Sequence, residues 1–264
     1  MRVEELPPMT GPLAVYGGSV SNDRATAALL DVLDREGLSQ RLCTGDLAAY
    51  CADPRGTVAM VRRSGGIVVA GNCEHQVAAG ALDCGCGFED GTACDAMSGA
   101  WWARVRGALS DEEAAWMAAL PDAVVFDHDG VRTAAIHGGA TDVARFVWPS
   151  SPIETFRAEI AALTALCGPL DRVLCGHSGI AFERVIDGVS WINAGSVGMP
   201  PHDGRLQTRW AVVNADGVRF RRLSYDHEGA AADMERVGLT QGYQAALRTG
   251  WWPSEDVLPP ELRR

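Results

Sequence analysis

Residues 13–22 read Leu-Ala-Val-Tyr-Gly-Gly-Ser-Val-Ser-Asn. A short apolar run stops at a double glycine. Residues 22–36 then carry apolar side chains at Ala25, Ala28, Leu29, Val32 and Leu33. That spacing predicts a helix, with Gly37 as its stop. A strand, a glycine turn and a helix open an α/β unit, and the pattern recurs. Arg41-Leu42-Cys43-Thr44 runs into Gly45-Asp46, residues 55–63 read as a helix, and Gly66–Ala70 reads as a buried strand ending at Gly71-Asn72. In open α/β sheets, ligands bind just beyond the strand C-termini. A polar site built from Asn22, Asp46 and Asn72 is therefore expected.

Beyond these units, residues 75–99 read as loop-rich, with helices near 101–109 and 110–119. Ser110 and Glu113 have capping-box spacing at the second of these. Ala123–Phe126 and Val131–Ile136 flank Asp129-Gly130 as a hairpin, and the second run ends at His137-Gly138. An amphipathic helix is expected over 153–166. A strand, Val173-Leu174-Cys175, ends at Gly176-His177. Two further hairpins turn at Asp187-Gly188 and Asp216-Gly217. Residues 1–226 form the main domain, interrupted by an insertion at about 75–119, and 227–264 form a tail packed on it.

The chain has 264 residues, 23 Lys plus Arg and 34 Asp plus Glu, for a net charge of −11. The length supports a real core without metal or disulfide staples. The acidic balance argues against a nucleic acid polymer as partner, which needs a basic face. It does not exclude a small phosphorylated molecule, because a bound metal reverses the local field. The first residues show no secretory pattern and no apolar run is long enough to span a membrane. A cytoplasmic location with reduced thiols is the expectation. The eight cysteines are then core fillers, metal ligands or reactive groups before they are disulfides.

Five polar residues now stand at strand ends: Asn22, Asp46, Asn72, His137 and His177. An Asp, an Asn and two His make a first shell for a divalent transition metal. A lone His at any one of these positions is as well explained by packing. Four such residues at successive strand ends weaken that explanation.

The motifs Gly45-Asp46, Gly71-Asn72-Cys73-Glu74, His137-Gly138, Gly176-His177 and Ile192-Asn193-Ala194-Gly195-Ser196-Val197-Gly198 resemble the calcineurin-like metallophosphoesterases. The similarity is strongest to the compact branch described as diadenosine-tetraphosphatase-like, and it runs over roughly residues 12–225. It implies a four-layer α/β/β/α sandwich of two mixed sheets flanked by helices. It also implies a two-metal site that hydrolyses phosphoesters with a metal-activated hydroxide.

The family's opening Asp-x-His-Gly-Asn is here Gly18-Ser19-Val20-Ser21-Asn22, so only the Asn remains. The His of the family's Gly-Asn-His motif is Cys73, and the last His of Gly-His-x-His is Gly179. By the resemblance, one metal loses three of its four ligand positions, to Gly18, Val20 and Gly179. The other keeps Asp46, Asn72, His137 and His177. One divalent ion per chain, Mn, Fe or Zn, is implied.

Candidate catalytic residues are Asp46, Asn72 and Cys73. The Gly17–Asn22 turn, with Ser19, Ser21 and Asn22, offers an anion cradle or is simply a turn. Asp23 or Glu74 is a substitute ligand, with Asp23 alternatively supporting the helix N-terminus. Arg145 orients a phosphate or forms a surface ion pair, and His202 contacts substrate or is a solvated loop residue. Cys51 falls in a loop near the site; Cys84, Cys86 and Cys94 line a tight loop or bind a soft metal. Trp101-Trp102 and Trp251-Trp252 pack the insertion and the tail, or mark a homodimer contact. The leading functional expectation is hydrolysis of a small phosphorylated or nucleotide-like molecule. The rivals are a sensor without turnover and a repurposed enzyme that uses Cys73 with the metal.

Overall fold

The computed structural model describes residues 1–89 and 91–264. The strands are β1 (Val3–Glu5), β2 (Leu13–Tyr16), β3 (Arg41–Cys43), β4 (Ile67–Val68), β5 (Ala123–His128), β6 (Val131–Ile136), β7 (Arg172–Cys175), β8 (Phe182–Ile186), β9 (Val189–Asn193), β10 (Thr208–Asn214) and β11 (Gly217–Leu223). The helices are α1 (Asp23–Arg35), α2 (Pro54–Arg63), α3 (Asn72–Ala79), α4 (Ala93–Ala108), α5 (Asp111–Ala119), α6 (Ile153–Cys167), α7 (His227–Arg236) and α8 (Tyr243–Thr249). One sheet has the order β1-β5-β6-β7-β9-β8 and the other β11-β10-β2-β3-β4. Both are mixed: β2, β3 and β4 run parallel while β10 pairs antiparallel with β2, and β6, β7 and β9 run parallel beside two antiparallel hairpins.

The layering follows from period two. In β2 all four side chains are buried, because a central strand of a covered sheet has no wet face. Leu13 and Val15 point between the sheets, where they meet Phe126, Leu174, Ile192 and Val213. Ala14 and Tyr16 point the other way, against Leu29 and Leu33 of α1 and Val58 and Val61 of α2. The six-stranded sheet is covered on its outer face by α6, through Phe156 and Leu163 packed on Val125, Ile136 and Val173. Two sheets face to face with helices outside give the four-layer sandwich the motifs imply.

Three expectations need correction. Residues 75–99 are about half loop, but α3 runs from Asn72 to Ala79, and α4 starts at Ala93, eight residues before the expected helix at 101. Apolar periodicity is weak in both helices, and their starts are set by caps. Thr92 accepts from Asp95 N–H at the head of α4, and Glu74 reaches back to Gly71 N–H at the head of α3. The strand at 66–70 is only the two residues of β4. β1, not expected at all, is a short edge strand held by backbone pairing with β5, and its Val-Glu-Glu sequence carries no apolar alternation to announce it.

Candidate metal centre

Four loops meet at the C-terminal ends of β3, β4, β6 and β7, and each brings one side chain. Asp46 follows β3, Asn72 opens α3 after β4, His137 follows β6 and His177 follows β7. His137 Nε2 lies 3.2 Å from Asp46 Oδ2 and 3.0 Å from His177 Nδ1. His177 Nδ1 is 3.8 Å from the same Asp46 oxygen. Among the described residues this trio is the one group of His, Cys, Asp and Glu gathered closely enough to hold a metal. Asn72 opens the neighbouring helix: its Oδ1 is buried with no hydrogen-bond partner, while its Nδ2 donates to the Cys84 carbonyl at 3.1 Å. A buried amide oxygen left bare is costly, and a cation satisfies it.

The tautomer of His137 follows from its neighbour. Its Nδ1 lies 2.5 Å from the Thr44 carbonyl oxygen. A carbonyl only accepts, so a proton sits on Nδ1, as the outer partner of a metal-binding imidazole requires, and Nε2 is the nitrogen that faces Asp46 and His177. Two imidazole nitrogens and a carboxylate oxygen converging on one point fit a divalent transition ion.

Charge agrees with the geometry. Burial pushes the Asp46 carboxyl up, but the adjacent His137 and His177 rings outweigh it and hold the group well below the usual carboxylate range. For His137, burial works against the charged form, yet Asp46 carries it upward. His177 moves down, through burial first and then through His137. Phe146 lies against the His177 ring at 4.3 Å between centroids and walls that side of the centre.

The loops are shaped to allow this convergence. Asp46 and His177 both have left-handed backbone, with φ of 56° and 61°, and such positions cost about 1–3 kcal/mol each and cluster at functional sites. A Cβ on Gly45 would lie 2.7 Å from Gly71 N, and one on Gly71 would lie 2.6 Å from Asp46 Oδ1. The two loops touch only because neither glycine has a side chain.

Glu74 ties these loops together, and sequence reading assigned it no such role. It is fully buried. Its Oε2 accepts from Asp46 N–H and Gly71 N–H, each at 2.8 Å, and its Oε1 accepts from Leu47 N–H at 2.8 Å. Those bonds turn the carboxylate toward the backbone, which removes it as a substitute ligand. The signal was present as Gly71-x-x-Glu74, the capping spacing at a helix start.

The remaining expectations are placed as follows. Asn22 does not face the centre. Its Oδ1 accepts from Ala25 N–H and its Nδ2 donates to the Gly198 carbonyl, so it caps α1 and pins the 195–198 loop. In the cradle at residues 17–22, N–H groups of Gly18, Val20, Ser21 and Asn22 donate to Gly45, Asp46, Leu47 and Ser19 carbonyls, while the Ser19 and Ser21 hydroxyls have no hydrogen-bond partner. Ser19 and Ser21 are buried beside them. Asp23 lies in the first turn of α1, where a carboxylate favours the helix dipole. Arg145 Nε pairs with the buried Glu159 at 3.1 Å. His202 is not solvated: it is buried, with Nε2 2.9 Å from Glu255 and Nδ1 accepting from Trp252 N–H.

Cys73 is buried, and its backbone N–H donates to Asp46 Oδ1 at 3.3 Å. A hydrogen bond with Cys86 favours its thiolate, but burial together with the Asp46 and Glu74 carboxylates and Cys84 outweighs it and pushes the thiol up. Cys86 and Cys94 both line the adjoining cavity. Cys84 and Cys94 are buried free thiols, and Cys51 packs in the core near Gly198.

The positions that lost their ligands lie on the other side of Asp46 and His177. Gly18, Val20 and Gly179 line the cavity there, together with Trp252 and other residues of the C-terminal segment. The Trp252 ring stands 3.5 Å from where a Cβ of Gly179 would be.

No curated protein sequence matches the chain. Among solved structures, it is similar to a metallophosphoesterase from Sphaerobacter thermophilus, at 20% identity and a TM-score of 0.69, over 92% of this chain and 99% of that one. It is also similar to a hypothetical protein from Pyrococcus horikoshii, at 18% identity and a TM-score of 0.74, with the same coverages. At these identities the likeness concerns the fold. The family model for the calcineurin-like phosphoesterase superfamily domain matches residues 21–216, most of the chain, and the chain therefore belongs to the calcineurin-like metallophosphoesterase superfamily.

Proposed function

We propose that this chain is a metal-dependent hydrolase of a small phosphorylated or nucleotide-like molecule, in the compact diadenosine-tetraphosphatase-like branch. In this reading it works with one divalent transition ion, Mn, Fe or Zn, held by Asp46, Asn72, His137 and His177. The observation that carries the proposal is the convergence of Asp46 Oδ2, His137 Nε2 and His177 Nδ1 beside the bare Asn72 Oδ1. An ion bound there supplies Lewis acidity and lowers the pKa of a coordinated water.

The chain's own groups set the stage for that chemistry. The Thr44 carbonyl keeps the His137 proton on Nδ1. Glu74 fixes the Asp46 and Asn72 loops by three N–H contacts. Phe146 shields His177 from solvent. With Gly18, Val20 and Gly179 in place of the other ligands, one ion does the work that two share elsewhere in the superfamily.

The test is a panel of phosphomonoesters and phosphodiesters, including p-nitrophenyl phosphate and bis(p-nitrophenyl) phosphate, after chelation and reconstitution with Mn, Fe or Zn. The expected result is metal-dependent hydrolysis that His137→Ala abolishes. A second reading draws on the missing ligands: a binding protein that takes the metal and turns nothing over. Stoichiometric metal without hydrolysis of any ester selects it.

A further inference from the structure

The cavity beside the metal centre is built for something other than a second ion. It opens on Asp46 and His177, and its facing walls include Tyr50, Phe146, Met199, Tyr243 and Trp252. None of these five is a ligand for a hard divalent ion. The cavity volume is about 70 Å³. At roughly 10–15 Å³ per water in such a measure, it holds about five waters, and displacing them (about 150 Å³ of liquid) makes room for one benzene-sized ring.

Much of this wall comes from the C-terminal segment, and that segment is fastened at both edges of the site. On one edge, Trp252 Nε1 donates to the Pro200 carbonyl at 2.7 Å and Trp252 N–H donates to His202 Nδ1 at 2.8 Å. The other ring nitrogen of His202 holds Glu255 at 2.9 Å. On the other edge, Asp256 Oδ2 accepts from Ala93 N–H at the head of α4 at 3.0 Å. Trp252 then lies across Gly179, where a longer side chain would collide with it. A preset apolar wall binds without a further ordering cost.

We propose that residues 243–257 form part of the substrate site. The cavity takes a compact aromatic group of a phosphoester whose phosphoryl end reaches the Asp46–His137–His177 corner. This rests on the hydrolase reading of that corner and adds the class of organic group. Trp252 is the specificity-determining residue, and His202 is a positioning residue that acts through it.

The experiment compares benzyl phosphate with methyl phosphate, whose alcohols are of similar acidity, so that the chemical step is matched. Hydrolysis is followed on the Mn-loaded protein. Binding of benzylphosphonate and methylphosphonate is measured by calorimetry with and without metal. The expected preference for the benzyl compound is roughly 10–100-fold in both kcat/KM and affinity, the gain from burying one ring. Trp252→Ala reduces it to a few-fold, Trp252→Phe keeps most of it, and His202→Ala lowers it part of the way. Val257→Phe fills the cavity from a second position and also reduces it, which keeps the test decisive if Trp252→Ala does not fold. Thermal unfolding checks each variant.

A benzyl-to-methyl ratio near one, or a ratio unmoved by Trp252→Ala and Val257→Phe in folded protein, overturns the proposal. A benzylphosphonate preference without hydrolysis of either ester supports the pocket and overturns the hydrolase reading. Equal hydrolysis of both esters does the reverse.

Discussion

The two sides of the Asp46–His177 ridge differ in everything but position. On one side, Asp46, His137 and His177 converge, and neighbouring groups are spent on holding them: Thr44 on His137, and Glu74 on the Asp46 and Asn72 loops. On the other side, Gly18, Val20 and Gly179 offer no ligand, and Trp252 and Met199 fill the wall. The kept half retains its supports, and the other half is a cavity walled by a segment fastened through His202 and Asp256. The contrast supports the proposed reading of a centre narrowed to one ion.

The sharpest way to break this comparison is to remove a kept ligand. His137→Ala is expected to lower metal affinity by more than about 100-fold, beyond the 10–100-fold typical of outer partners, as read by competition with a chelator. Glu74→Ala comes next. It leaves three buried N–H groups without an acceptor, and at about 1 kcal/mol or more each it should cost at least about 3 kcal/mol in denaturant unfolding. Glu74→Gln, which keeps an acceptor, should cost less, and both should weaken metal binding by about 10–100-fold.

Attempts to rebuild the lost half should have smaller effects. Gly179→His places a ligand at a left-handed position facing Trp252, and the metal content should stay unchanged. Gly18→Asp meets Ser196 Oγ at 2.8 Å with φ at +55°. It should cost about 1–2 kcal/mol for the backbone conformation alone, again without added metal. A rise to two ions per chain in either variant would show that the far side still accepts metal.

Arg145→Ala should matter least. Glu159 already accepts from Ala140 N–H, Thr141 N–H and the Thr141 hydroxyl, and Arg145 is partly exposed. A change of about 1 kcal/mol or less in stability is expected, with KM for phosphoesters moved less than about twofold. A larger rise in KM would restore Arg145 as a phosphate contact.

The kept half of the site was legible in the sequence because each candidate ligand adjoins a glycine at a strand end, a local pattern. The α/β units were legible for the same reason, through the apolar run at 13–16 and the helical spacing at 25–33. What stayed hidden depends on distant contacts. Glu74 reads as one more acid until its three N–H partners are known. Asn22 reads as a site residue because it also follows a strand, but residue 198 claims its amide. His202 reads as a loop histidine until Trp252 and Glu255, fifty residues on, close over it. Cys73 sits at a motif position, yet the backbone turn into α3 sends its thiol toward Cys86.

The central claim is that one half of the centre holds a metal and the other holds none. The most direct test is the metal content of the purified protein by elemental analysis, after chelation and reconstitution with Mn, Fe or Zn. The account predicts one ion per chain, lost in His137→Ala. Two ions per chain, or none with any of the three metals, would contradict it.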